Sequence, residues 1–221
     1  MNKQFRKQII DDFIAFATND ENRAELFVTN KKGVASTELR NNYRIILRSS
    51  KMDELFKEVV KSVKGNKKSQ GFLYFLHQVD DRGNAYPLYL GIARRKGKSN
   101  EISSLFNGNY PRWDYYKNGN YHLSNLNSVV FKEGYTEQDR DKCKGIYLEW
   151  AKGIFTNADF PIEQGEELFL HMPLYLSLIE LNEHRNSFVK VLGNITIKCE
   201  ESVLINLLYE FYPEKLLNKD I

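Results

Sequence analysis

Tyr74 and Tyr89 stand fifteen residues apart in two aromatic runs, residues 72–79 and 86–93, and the second run passes through Leu90-Gly91 into Arg94-Arg95-Lys96. Residues 82–98 hold five basic side chains and no acid. Phenols beside guanidinium and ammonium groups suit a phosphate. The cations attract it at long range. Tyrosines on strands also serve as core or edge packing, and at this point both uses stay open. Other chemistries lack their residues. There is no phosphate-binding glycine loop and no nucleophile elbow. His77, His122, His171 and His184 are scattered rather than set at metal spacing, and Cys143 and Cys199 form neither a metal site nor a disulfide framework.

The elements that must carry these residues follow from periodicity. Residues 72–79 and 86–93, with the turn formers Asp80-Asp81-Arg82-Gly83-Asn84 between them, predict a β-hairpin. Apolar residues at helical spacing predict helices over 3–17, 51–64, 136–155 and 199–212, the last stopped by Pro213. Residues 173–181 predict a buried strand, 189–197 a weaker one with a turn at Gly193-Asn194, and 128–131 a short one. Residues 43–47 fit strand or helix equally. Residues 100–128 are rich in Asn and Tyr without a clean period, which predicts an ordered polar-aromatic loop layer. The polar stretch 64–71 marks a boundary, so the chain divides into a basic, mostly helical extension over 1–68 and a main domain over 69–221. The fold class is α+β.

The chain's 221 residues are 42% hydrophobic and 28% charged, with 14 Phe and 13 Tyr, enough for a core and unlike a disordered tail or a small disulfide scaffold. The most apolar stretch, 168–181, is broken by His171, Pro173 and Ser177, so no membrane-spanning helix is expected. Asp11 and Asp12 interrupt any signal-peptide core, and the expected location is the cytoplasm. The formal charge of +3 conceals a gradient. Residues 1–68 carry a net +6, residues 69–134 a net +3, and residues 135–221 a net −6. A basic front half suits a polyanion, although solvated surface alone also produces such an excess.

The spacing of Phe72-Leu73-Tyr74 and Tyr89-Leu90-Gly91 resembles the paired motif of the GIY-YIG nucleases. Glu201-Ser202-Val203-Leu204-Ile205, followed by Pro213 and Leu217-Asn218, resembles that family's last motif in the same order. Gly71 stands one residue further from Tyr74 than the family pattern, and Leu replaces Ile in both motifs. The resemblance covers residues 71–221, with 100–170 poorly matched. It implies a small antiparallel three-stranded sheet flanked by helices, with a long insertion at about 100–170 before the third core strand. It implies a metal-dependent endonuclease that hydrolyses phosphodiester bonds in double-stranded DNA, a restriction or defence enzyme with a chosen site.

Residue by residue, the resemblance makes Glu201 the ligand of Mg²⁺ or Mn²⁺, with Glu200 the substitute if the helix register differs by one. Tyr74 and Tyr89 would flank the metal and Asn218 would close the pocket. The family's phosphate-binding arginine falls at Lys98-Ser99 here, which leaves Arg112, favoured for its place in the loop layer, and Arg94, Arg95, Lys98 and His122 as alternatives. Tyr110, Trp113, Tyr115 and Tyr116 could stack on bases or pack the loop core. No membrane partner is implied, and a homodimer is compatible with the pattern. A nucleic-acid-binding module on a catalytically degenerate version of this fold is the other reading.

Overall fold

The computed structural model describes residues 2–96, 122–182, 187–189, 195–214 and 216–218. In chain order the first elements are α1 (Lys3–Ala17), β1 (Arg23–Glu25), β2 (Val34–Ala35), β3 (Thr37–Arg40), β4 (Tyr43–Ile46) and α2 (Ser50–Gly65). The hairpin follows as β5 (Ser69–Val79) and β6 (Ala85–Arg94). Then come α3 (His122–Val130), α4 (Glu137–Cys143), α5 (Ile146–Ile154), β7 (Leu168–Phe169), β8 (Leu174–Asn182) and α6 (Ile197–Phe211). The class is mixed α+β with antiparallel strands. Among the described residues no helix is long and apolar enough to cross a membrane.

Two compact units divide the chain. One comprises residues 1–24, 50–111 and 175–221, the other 25–49 and 112–174. The division cuts across the boundary expected at 64–71, because α1 and α2 join the hairpin while residues 25–49 do not.

The first unit is built on a sheet in the order β1-β8-β5-β6. Leu178 N–H donates to Asn22 O, and Leu26 N–H donates to Leu174 O, so β1 and β8 run antiparallel. Ser69 Oγ meets Leu181 O at one end of β5, and His77 stacks on Tyr175 at the other, so β5 and β8 do too. The sheet therefore has four strands rather than the expected three. The short β1 was invisible to strand patterning because three residues carry no period. Burial on both faces explains why residues 72–79 read as an almost continuous apolar run. Leu73, Phe75 and Leu90 face a core shared with Ile9, Ile10 and Phe13 of α1 and Leu204, Ile205 and Leu208 of α6. On the opposite face Phe56 of α2 meets Phe72 edge-on, with ring centroids 6.4 Å apart. Asn2 caps α1 by accepting the Phe5 N–H at 2.8 Å, and Thr196 caps α6. The hairpin turn is held by Asp80, which accepts from the side-chain amide of Asn84, from the N–H groups of Asn84 and Arg82 and from the Tyr86 hydroxyl; these bonds, the Asn84 amide foremost, lower its pKa to about 2.

In the second unit β3 and β4 form a hairpin across Asn41-Asn42, both at positive φ (47° and 68°), a conformation Asn tolerates better than most residues. Residues 43–47 thus resolve as strand. β2 pairs with β7. Phe27 stacks on Phe155 at 6.1 Å. Two expectations change here. The short strand at 128–131 is the end of α3, whose buried Leu126, Val129 and Val130 keep helical spacing. The single helix expected over 136–155 is two, α4 and α5, because Gly145 takes φ 94°, ψ −99° between them. A capping box between Thr136 and Asp139 starts α4. Of the strand expected at 189–197, residues 190–194 lie outside the described residues; Phe188-Val189 is a turn and Ile197 opens α6.

Candidate functional site

Register decides where the tyrosines meet. On the β5–β6 ladder Tyr74 lies opposite Gly91 and Leu76 opposite Tyr89, so with a two-residue period both tyrosines project from the same face. Their rings stack at 5.9 Å between centroids, 22° between planes. Tyr74 is the only residue between Gly71 and Gln78 that is not fully buried, which places the pair at the surface of an otherwise dry strand. A Cβ on Gly91 would overlap Cζ and Oη of Tyr74, so the ring needs a glycine beneath it. Gly71, at φ 130°, backs onto the carbonyl oxygen of Ala93, where a Cβ has no room.

β6 is the sheet's edge strand, and its outward backbone groups are covered in sequence. Leu217 N–H donates to Leu88 O at 2.6 Å. Asn218 makes a reciprocal pair with Leu90: Leu90 N–H donates to Asn218 Oδ1 at 2.9 Å, and Asn218 Nδ2 donates to Leu90 O at 2.7 Å. Further along, the Ile92 N–H favours the charged form of the Glu201 carboxylate. Asn218 is buried, and both halves of its amide are engaged by the strand, so it holds the edge of β6.

The two adjacent glutamates of α6 are separated by the helix's 100° step. Glu200 turns inward, 3% exposed, and Oε1 accepts the Phe188 N–H at 2.7 Å, which ties down the turn at 187–189. Glu201 reaches the β6 edge and stays half-buried. Burial raises the pKa of both. At Glu201 the positive charges of Arg94 and Lys198 and the Ile92 N–H oppose that rise. Lys198 is a residue the sequence reading passed over, although its place three residues before Glu201 puts it on the same helix face.

Arg94 is exposed, and among the described residues no hydrogen bond or ion pair holds its guanidinium. Arg95 is 8% exposed and donates from Nε to Val63 O at 3.0 Å, satisfying a carbonyl in the last turn of α2. Arg112, Lys98, Tyr110, Trp113, Tyr115 and Tyr116 lie outside the described residues, as does the side chain of His122 at the start of α3.

Among the described residues no three of His, Cys, Asp and Glu gather as a metal cage. A hard cation that keeps its waters needs no such cage: Mg²⁺ is commonly held by one or two carboxylates together with substrate phosphate. Glu201 fits that use, since burial disfavours its charged form and a divalent cation would restore it. The chain matches no protein-family model, no curated protein and no solved structure.

Proposed function

We propose that the chain is a metal-dependent DNA endonuclease whose core is a GIY-YIG-like unit, with β6, β5 and β8 as the three family strands and β1 as an addition. The observation that carries the reading is a convergence on one strand. Gly91 of β6 seats the Tyr74 ring against Tyr89, and one to three residues further on the Ile92 N–H and the charge of Arg94 act on the Glu201 carboxylate. Tyr74 and Glu201, 127 positions apart, both come to the six-residue stretch 89–94.

Each group has a task in phosphodiester hydrolysis. Glu201 would hold Mg²⁺ or Mn²⁺, and the bound cation would offset charge developing on the leaving oxygen. Arg94, whose guanidinium no hydrogen bond or ion pair holds among the described residues, binds the scissile phosphate, which a planar guanidinium can grip through two oxygens. One of the stacked phenols orients the attacking water and accepts its proton, helped by the cations that make a phenolate less costly. The other keeps its partner's ring in place. The raised pKa of Glu201 means that the carboxylate form needed for a cation is lost at a higher pH than for an ordinary glutamate. Cleavage at a chosen sequence, as in a defence enzyme, belongs to this reading, and so does a cytoplasmic setting.

The test compares wild type, Glu201→Ala and Glu200→Ala on mixed plasmid and phage DNA with Mg²⁺ or Mn²⁺. Discrete, metal-dependent fragments are expected from wild type and are absent with Glu201→Ala, which still binds DNA. Glu200→Ala keeps cleaving but melts earlier, because the Phe188 N–H loses its acceptor. Cleavage by Glu201→Ala at the wild-type rate overturns the site. Binding by every variant without any cleavage transfers the reading to a nucleic-acid-binding module on the same scaffold.

A further inference from the structure

We infer that one flank of α2 is the track along which the first unit grips a phosphate strand of duplex DNA; the inference rests on the nuclease reading and adds the surface that binds. Lys57, Lys61 and Lys64 are all exposed and stand at i, i+4 and i+7, within a sector of about 60° on a helix of 100° per residue. Between residues 57 and 68 there are five lysines and one acid, Glu58. Lys67 and Lys68, also exposed, continue the row into the turn that opens β5.

Which way the stripe faces follows from the helix's anchors. Met52, Phe56, Val60 and Val63 define the buried face. Ser62, about 115° round one way from that face, donates to the Glu180 carboxylate of β8, and Asn66 Nδ2 donates to the same carboxylate at 3.1 Å. The lysine stripe lies about 110° round the other way, on the flank turned from β8 toward β6. Phe56 sits on Phe72, which shares a sheet face with Tyr74, and Arg95 bonds the last turn of α2 to the end of β6, next to exposed Arg94. The row of cations therefore ends where the site begins.

Its spacing and company select the partner. Successive lysines are about 6 and 4.5 Å apart along the axis at 1.5 Å per residue, and their flexible four-carbon stems let them reach neighbouring phosphates of one strand. A lipid surface asks for large apolar side chains beside the lysines. Among the described residues the exposed large hydrophobic ones are Phe5, Phe16, Val28 and Leu39, none of them on α2.

The experiment measures binding of the full chain to a labelled duplex by fluorescence anisotropy, in EDTA, from 50 to 300 mM salt. Lys57→Gln/Lys61→Gln/Lys64→Gln is compared with wild type, with Lys51→Gln as a control on the far flank and the triple Arg substitution as a charge-preserving rescue. The salt slope of log K is expected to flatten by about 0.9 per lysine, about 2.7 in all, and to return with Arg. Circular dichroism verifies that the helix is intact. A wild-type slope in the Gln variant overturns the track and leaves the nuclease reading standing. A flattened slope in a protein that never cleaves supports the track and overturns the nuclease. No binding by wild type at 50 mM salt, or binding to phosphatidylserine vesicles in place of duplex, overturns both.

Discussion

Arg44 in the second unit and Arg94 in the first are both arginines at strands, and they are used in opposite ways. Arg44 is 13% exposed and its donors are consumed: Nε goes to Thr37 Oγ1 at 3.3 Å, Nη1 to Glu163 O at 3.2 Å and Nη2 to Glu166 O at 2.7 Å. Its plane lies 4.8 Å over the Phe131 ring, and Glu133 stands 3.8 Å away. Such a guanidinium staples loop carbonyls to a hairpin and has little left to offer a ligand. Arg94 is exposed and acts on Glu201 through its charge. On the nuclease reading, this contrast sorts the cations better than composition does: what matters is how many donors the fold has already taken.

Exchanging the two roles by mutation gives the largest expected effects. Arg94→Ala should lower cleavage roughly 10²–10³-fold, the scale for losing one charge-stabilising donor, with a melting temperature equal to wild type. Arg44→Ala should do the reverse. It loses about 2–3 kcal/mol of stability in a urea titration, because Glu133 and two carbonyls lose their partner, while the folded fraction cleaves normally. If Arg94→Ala melts early and cleaves well, the contrast between the two arginines fails.

A smaller effect comes from a buried group with no compensating charge. His77 is fully buried between the rings of Phe75 and Tyr175, its Nδ1 3.4 Å from Phe75 O, and desolvation lowers its pKa from 6.5 to about 3. Between those two values the unfolded chain binds the proton and the folded chain does not, so stability falls as pH falls through that window. From pH 7 to pH 5 the loss from this group is about 2 kcal/mol, and His77→Phe should remove it. Equal pH dependence of urea midpoints in wild type and His77→Phe would show that the histidine is charged when folded.

The smallest effect on stability tests the tyrosine pair. Gly91→Ala pushes its Cβ against the end of the Tyr74 ring, which can swing aside, so the expected destabilisation is about 1 kcal/mol. Cleavage should nevertheless fall as far as in Tyr74→Ala, and the double variant should be no worse than either. Additive losses would mean that Gly91 acts on something other than the ring.

Much of this was legible beforehand, for a reason particular to each element. α1, α2 and α6 keep apolar residues at helical spacing over fifteen or sixteen residues, and β5, β6 and β8 are flanked by turn formers. Short or locally ambiguous pieces were not legible. Val129, Val130 and Phe131 are β-branched and aromatic, yet the two valines end a helix because they and Leu126 are buried with α3. Gly145 reads as an ordinary helix glycine until its positive φ shows the break. Glu200 and Glu201 are chemically identical in sequence, and only the packing of α6 tells which one is spent on the Phe188 N–H.

By itself, then, the sequence determined what depends on neighbours along the chain: helical and strand periods, the hairpin, the gradient of charge and the tyrosines' pairing on adjacent strands. Tertiary structure alone decided what depends on direction in space. It put Asn218 on the Leu90 backbone, gave Arg95 to α2 while leaving Arg94 exposed, and added β1 to the sheet. The physical reason is that one residue along a helix or strand turns a side chain by 100° or 180°. Which of two neighbours meets a distant partner is therefore set by packing and not by composition.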